Sequence, residues 1–206
     1  SRREGVAEIP AVMSALEKDP KDLNARIYLA QLLVWSKRYE ESDVHLQEAL
    51  NQSPDKPDLF QYIAVAYTVS GRTEKAIDTY QRGSEKFPTY PGFALGLAMI
   101  YRDRGRFDDA VREYNRMLEL KPDAAETMKI YGDMLLDNGR RREALQMYKR
   151  SLQFIPNDAP TVFNAGLLAA KLGEKEYALA SFELLRLLDP ARARKLERCL
   201  RLLGMK

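Results

Sequence analysis

The sequence predicts an all-α solenoid built from helix-turn-helix units, and three observations support this prediction. Prolines recur every 34 residues along the whole chain, and glycines recur at the same interval between them. Small residues recur at fixed offsets in both predicted helices of each unit, where neighbouring helices would approach closely. A period of this length is typical of repeat proteins, whose units bury their apolar faces only against neighbouring units.

The periodic prolines divide the chain into five full units. The prolines are Pro20, Pro54, Pro88, Pro122, Pro156 and Pro190. The predicted units are 21–54, 55–88, 89–122, 123–156 and 157–190. Each unit is expected to hold two helices of about thirteen residues, because a glycine interrupts its middle and a proline ends it.

The turn between the two helices of a unit has its own signal. It is a glycine in four of the five units: Gly71, Gly105, Gly139 and Gly173. A helix often ends in a left-handed residue, and glycine adopts that conformation without steric cost. Lys37 holds this position in the first unit, so we predict that its turn is strained or closed differently.

Partial units are predicted at both ends of the chain. Residues 1–20 read as the second half of a repeat, with a short helix from Ile9 to Lys18 that has Pro10 in its first turn. A unit entered halfway predicts that further repeats precede it. Residues 191–206 are predicted to form a capping helix with one apolar stripe and a basic outer face. The stripe consists of Leu196, Cys199, Leu200 and Leu203.

Small and large residues alternate at shared positions. The small residues are Ala30, Ala64, Ala98, Gly132 and Gly166 in first helices, and Ser42, Ala76, Ala110, Ala144 and Ala178 in second helices. The large ones in second helices are Leu46, Tyr80, Tyr114, Tyr148 and Phe182. This pattern resembles the tetratricopeptide repeat (TPR), best matched in the runs 71–76, 105–110 and 139–144. The resemblance covers residues 21–190 completely and residues 8–20 partially. The departures are Lys37, Ser42, Arg141 and Lys175.

The composition excludes several classes of function. The formal net charge is +3; residues 186–206 carry +5, so the rest of the chain sums to −2. A near-neutral body with a basic end does not fit a nucleic-acid binder. His45, expected on the surface, and Cys199 are the only histidine and cysteine, too few for a zinc site or a Cys-His nucleophile. We predict no enzyme activity, no cofactor and no integral membrane segment; the compartment is undetermined.

The resemblance implies a right-handed superhelix whose first helices line a concave groove, and this groove is the predicted binding site for a protein or peptide. Its predicted residues are Asn24, Ile27, Tyr28, Gln31, Val34, Trp35, Asp58, Gln61, Tyr62, Val65, Val69, Leu95, Met99, Arg102, Lys129 and Asp133. The N-terminal half of this set is unusually apolar, which is typical of a binding surface. Trp35 is the strongest single candidate, because tryptophan is enriched among interface hot spots.

Several alternatives stay open at this point. Residues 1–20, or preceding repeats, could cover the apolar groove within the same molecule. The chain could be a spacer or assembly arm of a larger bacterial secretion or exopolysaccharide-export machine, or a homodimer formed through the groove. The basic cap could be a solvating end or a docking surface for an acidic protein or membrane. Clamp-type binding of an acidic peptide tail is disfavoured, because the positions that would need its polar and basic residues differ. They carry Ile27, Gln31, Tyr62, Gly92 and Gly96.

Overall fold

The computed structural model describes residues 7–205, and over this range the chain is helical with no β-strand, as predicted. The helices are α1 (Ile9–Lys18), α2 (Leu23–Trp35), α3 (Tyr39–Gln52), α4 (Pro57–Val69), α5 (Thr73–Lys86), α6 (Pro91–Asp103), α7 (Phe107–Leu120), α8 (Ala125–Asp137), α9 (Arg141–Phe154), α10 (Ala159–Leu172), α11 (Lys175–Leu188) and α12 (Pro190–Leu202). Each predicted 34-residue interval therefore contains two helices. The first six residues of the predicted N-terminal half repeat, and Lys206, lie outside the described residues.

The chain forms two compact units that divide between Glu113 and Tyr114. This division falls inside α7 and does not coincide with a boundary between predicted repeats. The N-terminal unit contains α1 to α6 and the start of α7, and the C-terminal unit contains the end of α7 and α8 to α12.

In the N-terminal unit each helix packs against the next, and α4 also contacts α6. The small residues predicted at close helix approaches are fully buried, including Ala30, Ala64 and Ala76. Ser42, the departure from this pattern, is also fully buried, and its Oγ donates a hydrogen bond of 2.9 Å to the carbonyl oxygen of Ala30. A hydroxyl is tolerated there because it has a partner.

The C-terminal unit is built in the same way around aromatic side chains. The rings of Tyr114 and Tyr131 stack with centroids 4.9 Å apart. The cap α12 packs against α10 and α11 and buries Leu196 and Leu200. The other two residues of the predicted apolar stripe are not buried. Cys199 is only half-buried, and Leu203 is exposed because it lies beyond the last helical residue.

The turn after α2 is closed in the same way as the turns that contain glycine. Lys37 has φ +63°, in the left-handed region where Gly71 has φ +76°. The amide of Arg38 donates to the carbonyl of Leu33 at 2.8 Å, just as Arg72 donates to Tyr67 at 2.8 Å. The prediction of a strained turn is therefore supported, and the prediction of a different closure is wrong.

We expect Lys37→Gly to raise the free energy of unfolding by about 1 kcal/mol. A left-handed non-glycine residue costs about 1–2 kcal/mol, and the larger unfolded-state entropy of glycine offsets part of the gain. Gly71→Ala is the matched control, and we expect it to lower the free energy of unfolding by about 1 kcal/mol. An added Cβ at Gly71 meets no atom within 4 Å, so this decrease would report the backbone conformation alone. Urea denaturation measures both changes. An unchanged or lower stability for Lys37→Gly would contradict the argument.

Candidate functional site

The predicted groove residues of the N-terminal unit lie on α2, α4 and α6, and all of them are accessible to solvent. Those classed as exposed are Asn24, Tyr28, Trp35, Asp58, Val65, Val69 and Met99. Those that are half-buried are Ile27, Gln31, Val34, Gln61, Tyr62, Leu95 and Arg102. No member of this set belongs to the buried core, so the residues that line the predicted groove are separate from those that hold the unit together.

Four large apolar side chains of this set form what we call the apolar face. Trp35 is 39% exposed, Val65 44%, Val69 73% and Met99 39%. Trp35 and Val69 hold equivalent positions near the ends of α2 and α4, and Val65 and Met99 hold equivalent positions on α4 and α6. Each of these two positions is therefore apolar and exposed in two successive units, unlike apolar residues that are exposed singly.

Helix α1 leaves the apolar face open. Ile9 and Leu16 of α1 pack with Leu29, Leu32 and Leu33 of α2, which lie on another side of that helix. The segment reaches the groove set through a hydrogen bond of 2.6 Å from the hydroxyl of Tyr28 to Glu8, and this bond raises the pKa of Tyr28. Within the described part of the chain, the N-terminal segment therefore does not cover Trp35 or Val69.

The other end of the same surface combines apolar and charged side chains. A cavity of about 430 Å³ lies between the N-terminal ends of α2 and α4. It is lined by Leu23, Asn24, Ile27, Asp55, Lys56, Pro57, Asp58, Leu59 and Tyr62. Asp58 accepts a hydrogen bond of 2.6 Å from Tyr90; burial and this bond raise the pKa of Tyr90 to about 12. We call this cavity the N-terminal cleft.

Arg102, Lys129 and Asp133 are the last three members of the predicted groove set along the chain, and each has a partner within its own unit. Arg102 donates to the neighbouring Asp103 at 2.9 Å. Lys129 lies 3.5 Å from Glu126 and 3.7 Å from Asp158 in the C-terminal unit. These contacts stabilise the surface locally and leave the charges partly neutralised.

Asp133 accepts a hydrogen bond of 2.5 Å from the hydroxyl of Tyr148, whose side chain is fully buried. Burial and this bond raise the pKa of Tyr148, so the phenol stays protonated and keeps its role as donor. Asp133 thus satisfies a buried group. The sequence shows both residues but not that they meet, because spacing along two helices does not specify side-chain direction across them.

His45 differs from the expectation of a plain surface position. It is half-buried, and its Nδ1 lies 3.5 Å from Nη1 of Arg26. Burial, reinforced by the charge of Arg26, lowers its pKa. Within residues 7–205, no group of three or more His, Cys, Asp or Glu side chains is arranged to hold a metal ion. None of the helices described is long and apolar enough to span a bilayer.

Comparison with known proteins places this geometry in a family. Residues 95–159 match the family model described as tetratricopeptide repeat. This stretch is tetratricopeptide-repeat sequence. No curated protein matches it in sequence. The family match lies within the predicted span of 21–190 and supports the resemblance inferred from the proline and glycine spacing.

Solved structures with this TPR fold cover nearly the whole chain. YrrB, described as a TPR protein with an unusual peptide-binding site, has 20% identity and a TM-score of 0.63, covering 91% of this chain and 98% of its own. PilF of Pseudomonas aeruginosa has 16% identity and a TM-score of 0.64, covering 96% and 95%. MamA of strain AMB-1 has 20% identity and a TM-score of 0.63, covering 84% and 94%. At these identities the likeness shows the fold alone.

Proposed function

We propose that this TPR protein is a non-enzymatic scaffold that binds an apolar peptide or helical segment of a protein partner on the apolar face. The observation that carries the proposal is the exposure of Trp35, Val65, Val69 and Met99, which occupy two positions of the first helices, each in two successive units. The TPR fold supports a role in protein interaction in general, and YrrB shares that fold and is described as having a peptide-binding site.

Binding would release the water around these four side chains. Covering apolar surface stabilises a complex by roughly 25 cal/mol for each Å² removed from water. Trp35 offers the largest side chain, and Val69 is the most exposed of the four. Because the residues are held on packed helices, little ordering entropy opposes binding.

The polar side chains of the N-terminal cleft set the direction in which a segment would lie. Asp58 and Asn24 lie at the N-terminal ends of α4 and α2, whereas Val69 and Trp35 lie at the C-terminal ends. A partner with apolar side chains followed by a basic or polar residue matches this arrangement. An acidic tail does not, because Asp58 would repel it.

We expect Val69→Asp to weaken binding of such a segment by at least about tenfold, because binding would desolvate the new carboxylate without a partner. Val44→Asp is the matched control, since Val44 is 66% exposed on the second helix α3, away from the proposed site. Ligands are first selected from a displayed library of apolar and amphipathic peptides, and their affinities for both variants are measured by fluorescence anisotropy.

Trp35 provides a direct report of where the ligand binds, because it is the only tryptophan. A ligand on the apolar face moves Trp35 from water to an apolar environment and shifts its emission to shorter wavelength. Selected peptides that bind without this shift, and equally to both variants, would contradict the proposal. In the absence of peptide, a shift of Trp35 emission that depends on protein concentration would favour the homodimer instead, provided that light scattering gives the mass of a dimer.

A further inference from the structure

The cap α12 has a continuous basic outer face. At 100° per residue, Arg194, Lys195, Arg198, Arg201 and Leu202 all lie within about 60° of Arg198 around the helix. All five side chains are exposed, and no acidic residue falls in this arc. The opposite side buries Ala193, Leu196 and Leu200 against the rest of the C-terminal unit. We call the exposed arc the basic stripe.

Most of the charge on this stripe is not neutralised by the protein. Arg201 pairs with Glu197 at 2.5 Å, and Arg192, outside the arc, pairs with Asp189. Within residues 7–205, no recorded ion pair reaches Arg194, Lys195 or Arg198. Three neighbouring cations that share one helix face without a carboxylate repel one another, and an external anion would relieve that repulsion.

Apolar side chains accompany these cations. Leu202, on the stripe itself, is 82% exposed, and Leu187 on α11 is 84% exposed. Leu187 follows Arg186, which lines a cavity of about 490 Å³ together with Arg194 and Phe182. Exposed leucines beside basic side chains are the combination found in segments that lie at a lipid interface.

We propose that the basic stripe docks this protein peripherally on an anionic lipid surface. Long basic side chains beside protruding leucines fit a continuous layer of anionic head groups over an apolar interior. An acidic peptide would pair with the cations but leave Leu187 and Leu202 in water, whereas a lipid layer covers both. This inference does not depend on the apolar face, which belongs to the other compact unit.

The test is co-sedimentation of the whole chain with vesicles of phosphatidylcholine alone, or with about one-third phosphatidylglycerol added. Each basic residue near such a surface raises the partition coefficient about fivefold, so R194Q/K195Q/R198Q should lower it about 100-fold. The matched control is R141Q/R142Q/R150Q, which removes the same charge from exposed positions of α9 in the same unit. Leu202→Ser should lower partitioning several-fold without a change in charge, and circular dichroism checks that every variant is folded.

Binding of the wild type to the anionic vesicles, lost in the stripe variant and kept in the α9 control, supports the proposal. Absence of binding to anionic vesicles overturns it. Equal losses in both triple variants overturn it as well, because the attraction would then come from net charge. Preferential binding of a poly-glutamate peptide that displaces the vesicles would assign the stripe to an acidic protein.

Discussion

Phe93→Ala should lower the free energy of unfolding by about 3–5 kcal/mol, the range for removing a large buried aromatic side chain. Phe93 is fully buried in the N-terminal unit, and its ring centroid lies 4.8 Å from that of Tyr90 and 6.4 Å from that of Tyr80. The loss combines the transfer energy of the ring with the cavity that remains, because the surrounding rings belong to different helices and loops and collapse only partly.

Urea unfolding followed by circular dichroism, with Trp35 emission as a second probe in the same unit, measures this loss. Phe154→Ala is the control, since Phe154 is 49% exposed at the end of α9 and its loss should stay below about 1 kcal/mol. Similar losses of unfolding free energy in the two variants would mean that burial of Phe93 among the aromatic rings contributes no more to stability than an exposed phenylalanine does.

Gly96→Ala should also destabilise the protein, by about 1–3 kcal/mol, although alanine is the better helix former by about 1 kcal/mol. An ideal Cβ at Gly96 would lie 2.3 Å from Cζ of the Tyr80 ring. Tyr80 is buried and touches the position with its rigid ring, so relief requires movement of the ring or of a helix.

The contact itself can be tested by shortening the partner. In a Tyr80→Leu background the same Gly96→Ala change should become neutral or stabilising, because leucine, which Leu46 provides at the equivalent position, leaves room for the methyl group. The double-mutant cycle isolates this coupling. A stabilising effect of Gly96→Ala in the wild type would show that the helices separate easily at this point.

The features of the fold that could be predicted are those fixed by local backbone chemistry. Pro20 and its periodic equivalents interrupt helices whatever their surroundings, and Gly71 ends a helix because it adopts a left-handed conformation. The bounds of α1, Ile9–Lys18, follow from the same reasoning about Pro10. Burial of Ala30 and Ala64 followed from their repeated spacing, since only small residues fit where helices approach closely.

The features that could not be predicted depend on which side chains meet across helices. Lys37 adopts the conformation of the glycines, because closure of the turn outweighs a local steric cost. Asp133 accepts from Tyr148, and His45 lies beside Arg26, although nothing in their sequence positions indicates these pairs. For the candidate site, the apolar character was visible in the sequence. The residues that bind a partner stay a prediction.

The first helices bury one set of residues in the core and expose another set to solvent. This separation affects how the protein can evolve by mutation. Gln31, Val65 and Met99 hold one equivalent position on α2, α4 and α6, and none of them is buried in the core. Substitutions at well-separated positions of this kind act independently, and at the surface they alter stability little. If these positions bind a partner as proposed, ligand preference can be altered one repeat at a time while the fold is conserved, so mutation can diversify recognition in small, individually tolerated steps.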